Sequence, residues 1–409
     1  MKALGPIPSG YEAIGGVLGV GGKPVTHWVA QAGGETPLFL YSADLVRSRV
    51  AELRAALPEQ VALHYAVKAN PFGPLLSLMA GLVDGFDIAS GGELERIRAA
   101  GLPLGKVSFA GPGKRDAELE AAIRAGVTLN LESAGEARRA IAIGDRLGTR
   151  PRLAIRVNPD FDLKGSGMKM GGGAKPFGVD AELVPALTRE IVQSGAEWRG
   201  FHIFAGSQAL DAEAIAEAQG QTLVLAARLA SESAVALPHC NLGGGLGIPY
   251  FPGDAPLDLS LVGGRLGEQM QSLPDILRET EFCIELGRYL VGEAGVYIAR
   301  IVDRKISHGE VFLVTDGGLH HQLAASGNFG TVVRRNYPSA IATRFVAPVE
   351  EEASIVGCLC TPLDKLADKG GFPIAQEGDL IAVFCAGAYG ASASPAQFLG
   401  QGPAREMLV

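Results

Sequence analysis

Eight short apolar runs recur between residues 61 and 288, and helical patterns separate most of them. This alternation limits the folds open to the chain more than any other feature. Strands that alternate with helices usually pair in parallel, and eight such units predict a (β/α)8 TIM barrel of the α/β class. A doubly wound open sheet is the alternative, because it is built from the same units. The runs cover residues 61–68, 85–90, 107–111, 127–133, 152–159, 200–207, 239–245 and 281–288.

The pattern changes after Arg288, where short alternating runs follow one another without convincing helices between them. Such a pattern predicts a C-terminal, all-β, barrel-like domain. We therefore expect three segments: an N-terminal arm that joins the β-domain (1–35), the barrel (36–288) and the β-domain (289–409). A strand over 37–41 and a helix over 42–57 open the middle segment.

Composition and charge exclude several classes of protein. Hydrophobic residues make up 47% of the chain and the mean hydropathy is +0.20, as expected for a folded globular protein. The net charge of −8 argues against nucleic acid or an anionic membrane as the main partner. No signal peptide or membrane span is predicted, and the five cysteines do not suggest a disulfide framework or a zinc site. We expect a cytoplasmic protein.

The first candidate for chemistry is Lys68, which directly follows the first strand of the predicted barrel. Active sites of such barrels lie at the carboxyl ends of the strands. An amine placed there can lose its solvation, lower its pKa and act as a nucleophile or Schiff-base partner. The alternative is a surface lysine that caps a strand. This alternative is disfavoured because further candidate groups follow at the ends of later predicted strands.

Two of these groups end the last two predicted strands. Gly243, Gly244 and Gly245 let backbone N–H groups approach an anion, and a phosphate site is typical of this part of a barrel. The cluster is not GxGxxG, which disfavours a dinucleotide. Next, the stretch Glu285-Leu-Gly287-Arg288 offers a guanidinium for phosphate and a carboxylate for a ring nitrogen. A structural ion pair is the alternative.

Other polar groups lie at or near strand ends. The glycine-rich segment 160–178 is interpreted as a mobile substrate loop or a simple insertion. His202 is interpreted as a core histidine, since a single histidine in an apolar run is more often buried than catalytic. Cys358 and Cys360 form a CxC pair, which is more typical of a reactive or buried thiol than of a metal site.

Together these motifs resemble the fold-type III pyridoxal-phosphate decarboxylases, the ornithine, arginine and diaminopimelate decarboxylase group, over nearly the whole chain. The resemblance implies the alanine racemase-like fold, pyridoxal 5'-phosphate as cofactor and a cytoplasmic homodimer with shared active sites. Tyr65-Ala-Val-Lys-Ala-Asn70 resembles the motif of the cofactor lysine, so Lys68 would carry the Schiff base. Cys360 matches a cysteine that reaches in from a second subunit and protonates the intermediate. The remaining cofactor-binding residues implied are Asp87, Glu93, Arg156, Phe204, Ser207, Gly243, Gly244, Gly245, Glu285, Gly287, Arg288 and Tyr389.

The departures from that family concern the substrate. Phe204 stands where a histidine commonly stacks on the cofactor ring. Thr361 follows the cysteine where enzymes acting on free diamines carry an acid, and an unpaired buried cation would cost several kcal/mol. Around Asp316, a possible amine contact, the arginine that binds a distal carboxylate in diaminopimelate decarboxylases is missing. With the stretch 318–330, these differences resemble exosortase-associated decarboxylases and those that act on aminoacyl groups carried by acyl-carrier protein.

The resemblance therefore implies α-decarboxylation of an amino acid or a carrier-linked aminoacyl group, with no metal. Three alternatives stay open. The first is decarboxylation of free diaminopimelate. The second is an amino-acid racemase, although such enzymes often continue the lysine motif as Lys-Ala-Asn-Ala-Tyr-Gly-His, where this chain has Lys68-Ala-Asn-Pro-Phe-Gly73. The third is a regulatory pseudo-enzyme that only carries the cofactor.

Overall fold

The computed structural model describes residues 1–327 and 335–409, which form two compact units. One unit comprises residues 50–247 and 257–287, and the other residues 1–49, 248–256 and 288–409. The helices of the described residues are α1 Val25–Gln31, α2 Ala43–Ala56, α3 Gly73–Ala80, α4 Gly91–Ala99, α5 Asp116–Arg124, α6 Ala134–Leu147, α7 Val184–Gln193, α8 Ala212–Ser233, α9 Leu259–Gln271 and α10 Arg288–Val291. The strands are β1 Ala13–Ile14, β2 Val17–Val20, β3 Lys23–Pro24, β4 Leu38–Tyr41, β5 Val61–Ala66, β6 Gly85–Ile88, β7 Val107–Phe109, β8 Thr128–Leu131, β9 Arg152–Asn158, β10 Met168–Lys169, β11 Val179–Asp180, β12 Glu197–Ile203, β13 Gly206–Ser207, β14 His239–Gly244, β15 Glu281–Leu286, β16 Gly295–Ser307, β17 Glu310–Thr315, β18 Ser339–Ile341, β19 Glu351–Val356, β20 Lys365–Phe372, β21 Leu380–Val383 and β22 Arg405–Leu408.

The unit built on residues 50–247 and 257–287 is a closed parallel barrel. Its strands follow one another around the barrel as β5, β6, β7, β8, β9, β12, β14 and β15, and β15 pairs with β5 to close the ring. The helices α3 to α9 connect successive strands. All eight predicted strands are present, so the prediction of a TIM barrel is confirmed and the open sheet is excluded.

The interior of this barrel is polar, whereas barrel interiors are usually filled by branched apolar side chains. His64, Asp87, Ser108 and Asn130 lie on four neighbouring strands and are joined by hydrogen bonds. Because side chains alternate between the two faces of a strand, the apolar residues Val61, Leu63 and Tyr65 are buried on the outer face. The barrel is therefore stabilised by its helical shell, and its interior is left for polar groups.

The other unit is mostly β. Its main sheet runs in the order β18, β21, β16, β17, β19 and β20, and β4 joins it beside β16 with β22 at its other edge. The helices α1 and α10 also belong to this unit, so it is mostly rather than wholly β. The prediction of a second β-rich domain is confirmed.

Strand β4 lies in this second sheet, not in the barrel. The compact units therefore do not begin where the sequence places the barrel, at residue 36. The reason is that β4 pairs with β16 and β22, which are far away along the chain, and no local sequence pattern predicts this pairing. The division into residues 1–35, 36–288 and 289–409 stays a prediction. Among the described residues, no helix combines the length and apolarity needed to cross a lipid bilayer.

Asp368 on β20 provides a test of this sheet. Its carboxylate accepts hydrogen bonds from Lys2 and, at 2.8 Å, from Lys365. Burial alone would raise the pKa of Asp368, but these two lysines outweigh it and lower the pKa from 3.8 to about 2. A carboxyl whose pKa is lowered on folding stabilises the protein above its ordinary pKa, and this stabilisation is lost as the pH falls towards 2.

We expect Asp368→Asn to destabilise the protein by about 1–2 kcal/mol at neutral pH, the range for hydrogen bonds to a partly screened charged group. The melting temperatures of the variant and the parent protein, measured between neutral pH and acid, should converge as the pH falls below about 4. A difference that stayed constant over this range would contradict the assignment of the effect to the charge of Asp368.

Candidate active site

Lys68 lies in a single 3₁₀ turn, Val67–Ala69, directly after β5. Its Nζ is 3.9 Å from Oε1 of Glu285 and 5.5 Å from the centre of the Phe204 ring. The side chain is 46% exposed, so its amine is not desolvated in the described chain. The turn carries the lysine just beyond the barrel strand, where solvent reaches it. The amine is consequently held beside a carboxylate and also open to a carbonyl compound.

Glu285 is the buried acid of this site, on β15. Its Oε2 contacts Nε2 of His202 at 2.8 Å and accepts a hydrogen bond from Nδ2 of Asn241 at 3.3 Å. Burial would raise the pKa of Glu285, but the charge and hydrogen bond of His202 outweigh it, with smaller contributions from Lys68 and Arg156. The pKa of Glu285 is therefore lowered, and the group is a carboxylate at neutral pH.

The glycine turn at the end of β14 is required by close backbone contacts. A Cβ on Gly243 would lie 2.6 Å from the carbonyl oxygen of Ile203, and one on Gly245 would lie 2.4 Å from that of Gly206. Both residues also have positive φ angles, 73° and 84°. Oδ1 of Asn241 accepts a hydrogen bond from Gly243 N at 2.8 Å and fixes the turn. Phe204 packs against Gly243, so Phe204 borders both the turn and Lys68.

Gly244 gives a steric prediction, because its φ is not positive. A Cβ there would lie 2.0 Å from the carbonyl oxygen of Glu285, and that backbone cannot move without disturbing β15. We expect Gly244→Ala to destabilise the protein by about 1–3 kcal/mol, the usual cost of overpacking, measured by thermal or denaturant unfolding.

The matched control is Gly264→Ala, in the middle of the exposed face of α9. No atom lies within 4 Å of a Cβ at that position. Because alanine is the better helix former, the control should be stabilised by up to about 1 kcal/mol. Equal effects of the two substitutions would contradict the close contact at Gly244.

Asp87, Glu93 and Arg156 were expected around the cofactor ring, and each has a partner of its own. Asp87 contacts Nδ1 of His64 at 3.1 Å and accepts a hydrogen bond from Ser108. Glu93 accepts a hydrogen bond from Ala89 N at 2.6 Å at the start of α4, and burial raises its pKa although the Ala89 N–H and the charge of Lys68 oppose this. These carboxylates are thus fixed by neighbouring groups.

Arg156 pairs with an acid that the sequence does not single out. Its Nη1 donates to Oε1 of Glu132 at 2.8 Å, and its guanidinium lies 5.0 Å from the centre of the Phe177 ring. Glu132 also accepts hydrogen bonds from Gly111 N and Gly178 N. Burial would raise the pKa of Glu132, but the charge of Arg156 and these hydrogen bonds lower it. The Glu132 carboxylate therefore contacts both Arg156 and the backbone at the end of the segment 160–178.

Ser207 lies on β13, which pairs with β10 through Ser207 and Met168. Its neighbour Gly206 is in contact with Gly245 of the glycine turn. At Gly287, a Cβ would lie 2.7 Å from the Cβ of Ala69, next to Lys68 in sequence. The barrel unit therefore brings together the predicted residues Lys68, Phe204, Ser207, Gly243, Gly244, Gly245, Glu285 and Gly287.

Arg288 and Tyr389 meet within the mostly β unit. Nη1 of Arg288 donates to the Tyr250 hydroxyl at 2.9 Å, and its guanidinium lies 4.9 Å from the centre of the Tyr389 ring. Nε of Arg288 is buried and has no hydrogen-bond partner among the described residues. A buried guanidinium N–H without a partner is costly, so this group is suited to bind an anion.

Cys360, Thr361 and Asp316 belong to the same unit. Cys360 is exposed, and the turn around it is fixed by Asp364, whose carboxylate accepts hydrogen bonds from Leu319 N at 2.6 Å and Leu359 N at 2.8 Å. The Asp316 carboxylate accepts hydrogen bonds from Thr36 and from Arg300 N. The end of the predicted motif 318–330, residues 328–330, lies outside the described residues.

Comparison with known proteins decides the family. A family model described as "Pyridoxal-dependent decarboxylase, pyridoxal binding domain" matches residues 43–292. The chain belongs to the pyridoxal-dependent decarboxylases. It is 34% identical to the L-glutamyl-[BtrI acyl-carrier protein] decarboxylase of Niallia circulans, over 91% of this chain and 89% of that protein. The diaminopimelate decarboxylase of Neisseria meningitidis serogroup A is also 34% identical, over 91% of this chain and 89% of that protein.

Solved structures agree with this assignment. Diaminopimelate decarboxylase from Helicobacter pylori complexed with L-lysine has a TM-score of 0.80 and 26% identity, and covers 92% of each chain. The enzyme from M. jannaschii has a TM-score of 0.85 over 98% of this chain and 93% of that chain, but at 23% identity it shows the fold alone. The chain is thus a carboxy-lyase that uses pyridoxal phosphate to decarboxylate an amino acid substrate, as the sequence predicts.

The residues of this decarboxylase fit that cofactor. The glycine turn packs against neighbouring backbone too closely for a Cβ, and glycine is the residue type that lets backbone N–H groups approach a phosphate. Glu285 is an ionised, buried carboxylate suited to a pyridine nitrogen, and Lys68 is an accessible amine beside it. The barrel unit therefore supplies an amine, a carboxylate and a glycine turn that match the cofactor.

Three residues of this decarboxylase were not predicted from the sequence to have a functional role: His202, Asn241 and Glu132. His202 is buried, as predicted for a core residue, but it contacts Glu285. Its position two residues before Phe204 was the available signal, because both side chains then lie on the same face of β12 or its extension. Asn241 opens the glycine motif and could have been found from that place. Glu132 ends a predicted strand, but nothing local links it to Arg156.

Proposed function

We propose that this decarboxylase acts on an aminoacyl group carried by an acyl-carrier protein. The observation that carries the proposal is Thr361, a neutral residue directly after Cys360. Its hydroxyl accepts a hydrogen bond from Leu363 N at 3.3 Å and offers no charge for a distal ammonium. A substrate whose distal end is esterified to a carrier has no charge there to neutralise. The similarity to the L-glutamyl-[BtrI acyl-carrier protein] decarboxylase supports the same substrate class.

The proposed roles follow from the contacts of each residue. Lys68 would hold the cofactor through its side-chain amine, and the amine of the substrate would bind beside it. Glu285, fixed by His202 and Asn241, keeps a proton on the ring nitrogen. When bound, pyridoxal phosphate accepts the electron pair that the departing CO2 leaves behind.

The phosphate is proposed to bind to backbone N–H groups of the glycine turn and to Ser207, Arg288 and Tyr389. Phe204 would stack on the ring, and Asp87, Glu93 and Arg156 would be the polar residues around it. Cys360 of the partner subunit would then donate its thiol proton to the carbon that has lost CO2, which gives the amine product. This last role requires a homodimer, and the exposure of Cys360 within a single chain supports it. We place the enzyme in the cytoplasm, in keeping with five cysteines that are all free.

Decarboxylation of free diaminopimelate is the second candidate, because one diaminopimelate decarboxylase is also 34% identical to this chain. A screen by mass spectrometry separates the two. The purified protein with added cofactor is given glutamyl-carrier protein, free glutamate and free meso-diaminopimelate, and the Lys68→Ala variant is the control.

The proposal expects loss of CO2 from the carrier-linked substrate, dependent on Lys68. It is contradicted if free diaminopimelate is turned over at an ordinary enzymatic rate, on the order of 1–10³ per second, while the carrier-linked substrate is unchanged. Loss of optical rotation without release of CO2 would instead indicate a racemase.

A further inference from the structure

A second cluster of polar side chains lies deeper in the barrel, towards the amino-terminal ends of the strands. There a cavity of about 530 Å³ is lined by residues that begin strands, among them Val107, Thr128 and His239. His64 and Asn130 line the same cavity from inside the barrel. Its lining includes the small residues Ala62, Gly105 and Ala154. The cavity is lined by both polar and apolar residues and is large enough for an ion with its water.

Within the described residues, one group of three side chains has the donor atoms and the spacing of a metal site: His64, His239 and Cys283. One ligand atom from each lies within 4.8 Å of the other two. They come from three adjacent strands, β5, β14 and β15, and Cys283 is on the middle one. With zinc–sulfur and zinc–nitrogen bonds of about 2.3 and 2.0–2.1 Å, tetrahedral ligands lie roughly 3.5 Å apart. Side-chain rotations that move the ligand atoms by about 1 Å would bring them from the observed spacing to the spacing of a tetrahedral site.

The surroundings of His64 support a metal ligand. Its Nδ1 contacts Oδ2 of Asp87 at 3.1 Å, and Asp87 in turn accepts a hydrogen bond from Ser108. A carboxylate on the far nitrogen of a metal-binding histidine is the usual arrangement, because it fixes the ring and raises its basicity. Nε2 of His64 is then the nitrogen left for an ion.

We propose that His64, His239 and Cys283 bind a zinc-class divalent cation, with water from the cavity as the fourth ligand. Two imidazoles and a thiolate suit zinc, since it prefers nitrogen and sulfur in a tetrahedral arrangement. The thiol proton of Cys283 leaves to solvent when the sulfur–metal bond forms. The ion ties three neighbouring strands together and stabilises the barrel, so its binding raises the melting temperature.

This site lies next to the residues proposed to bind the cofactor, because His64 is the register partner of Glu285 on the neighbouring strand. Cys283 precedes Glu285 by two residues on β15, which places it about 6.6 Å further into the barrel at 3.3 Å per residue. The inference does not depend on the substrate of the decarboxylase, and the test below uses no activity measurement.

The test is zinc binding by the full-length holoenzyme. The protein is stripped with a chelator, reloaded with cofactor and zinc, and analysed for zinc per chain and by X-ray absorption at the zinc edge. The exposed thiols are removed first by Cys358→Ala and Cys360→Ala. In this background Cys283→Ala is compared with Cys240→Ala, a matched control because both cysteines are fully buried on adjacent strands.

We expect one zinc per chain, with one sulfur at about 2.3 Å and nitrogen ligands. Cys283→Ala should lose the sulfur, the retained zinc and the rise in melting temperature caused by zinc, and Cys240→Ala should keep all three. The proposal is overturned if the background protein retains no zinc, if the bound zinc has no sulfur ligand, or if both variants lose zinc equally. Should Cys283→Ala fail to fold, the absorption spectrum of the background protein decides the question alone.

Discussion

Lys68→Ala is expected to abolish the visible absorption band of the lysine-bound cofactor and to lower kcat/KM by at least about 10³-fold, since removal of a covalent catalytic group costs up to about 10⁶-fold. The reason is that the amine of Lys68, 3.9 Å from Glu285, is the group proposed to hold the cofactor. The measurements are an absorption spectrum of the purified protein with added cofactor and steady-state kinetics on the substrate found in the screen.

Lys305→Ala is the control for this experiment, because Lys305 is an exposed lysine on β16. It should keep both the band and the activity. If the Lys68 variant kept the band, another amine would hold the cofactor and the proposed role of Lys68 would be wrong. If it lost activity but kept the band, Lys68 would act only in a later step.

Glu285→Gln is expected to lower kcat by roughly 10²-fold or more, the scale of lost electrostatic or acid–base assistance. Glutamine has the same shape but no charge, so it cannot keep a proton on a ring nitrogen. The contacts to His202 and Asn241 can partly persist with an amide, so the fold should be retained. Binding of the cofactor through the glycine turn should also change little.

The measurement that separates these effects is kcat together with the affinity for the cofactor. A large fall in kcat with little change in affinity is the expected result. Glu281→Gln, at the exposed start of the same strand, is the matched control and should leave both quantities unchanged. Full activity of Glu285→Gln would show that the ring nitrogen needs no carboxylate and would contradict the proposed role of Glu285.

Much of the fold could be predicted because its signals are local. Each barrel strand is an apolar run, and helices such as α6 are marked by Ser133 at the start and Gly148 at the end. Strand β4 could not be assigned in this way, since β16 pairs with it from more than 250 residues away.

The site divides in the same manner. Lys68, Glu285 and the glycine turn could be found because each ends a strand, and the carboxyl ends of barrel strands meet. The contact between His202 and Glu285 depends on the order of the strands around the barrel and on the orientation of the two side chains. Neither can be predicted from a local sequence pattern. The exposure of the Lys68 side chain could not be predicted for a related reason, because solvation depends on which neighbouring residues pack against the turn.

The most direct test of the central claim is to reduce the cofactor-loaded protein with borohydride, digest it and locate the pyridoxyl group by mass spectrometry. Reduction makes the bond between the amine and the cofactor permanent, so the labelled peptide identifies the residue without any assumption about the substrate. We predict one pyridoxyl-phosphate group per chain, on Lys68. A label on any other lysine, or a protein that takes up the cofactor and remains unlabelled, would contradict the account.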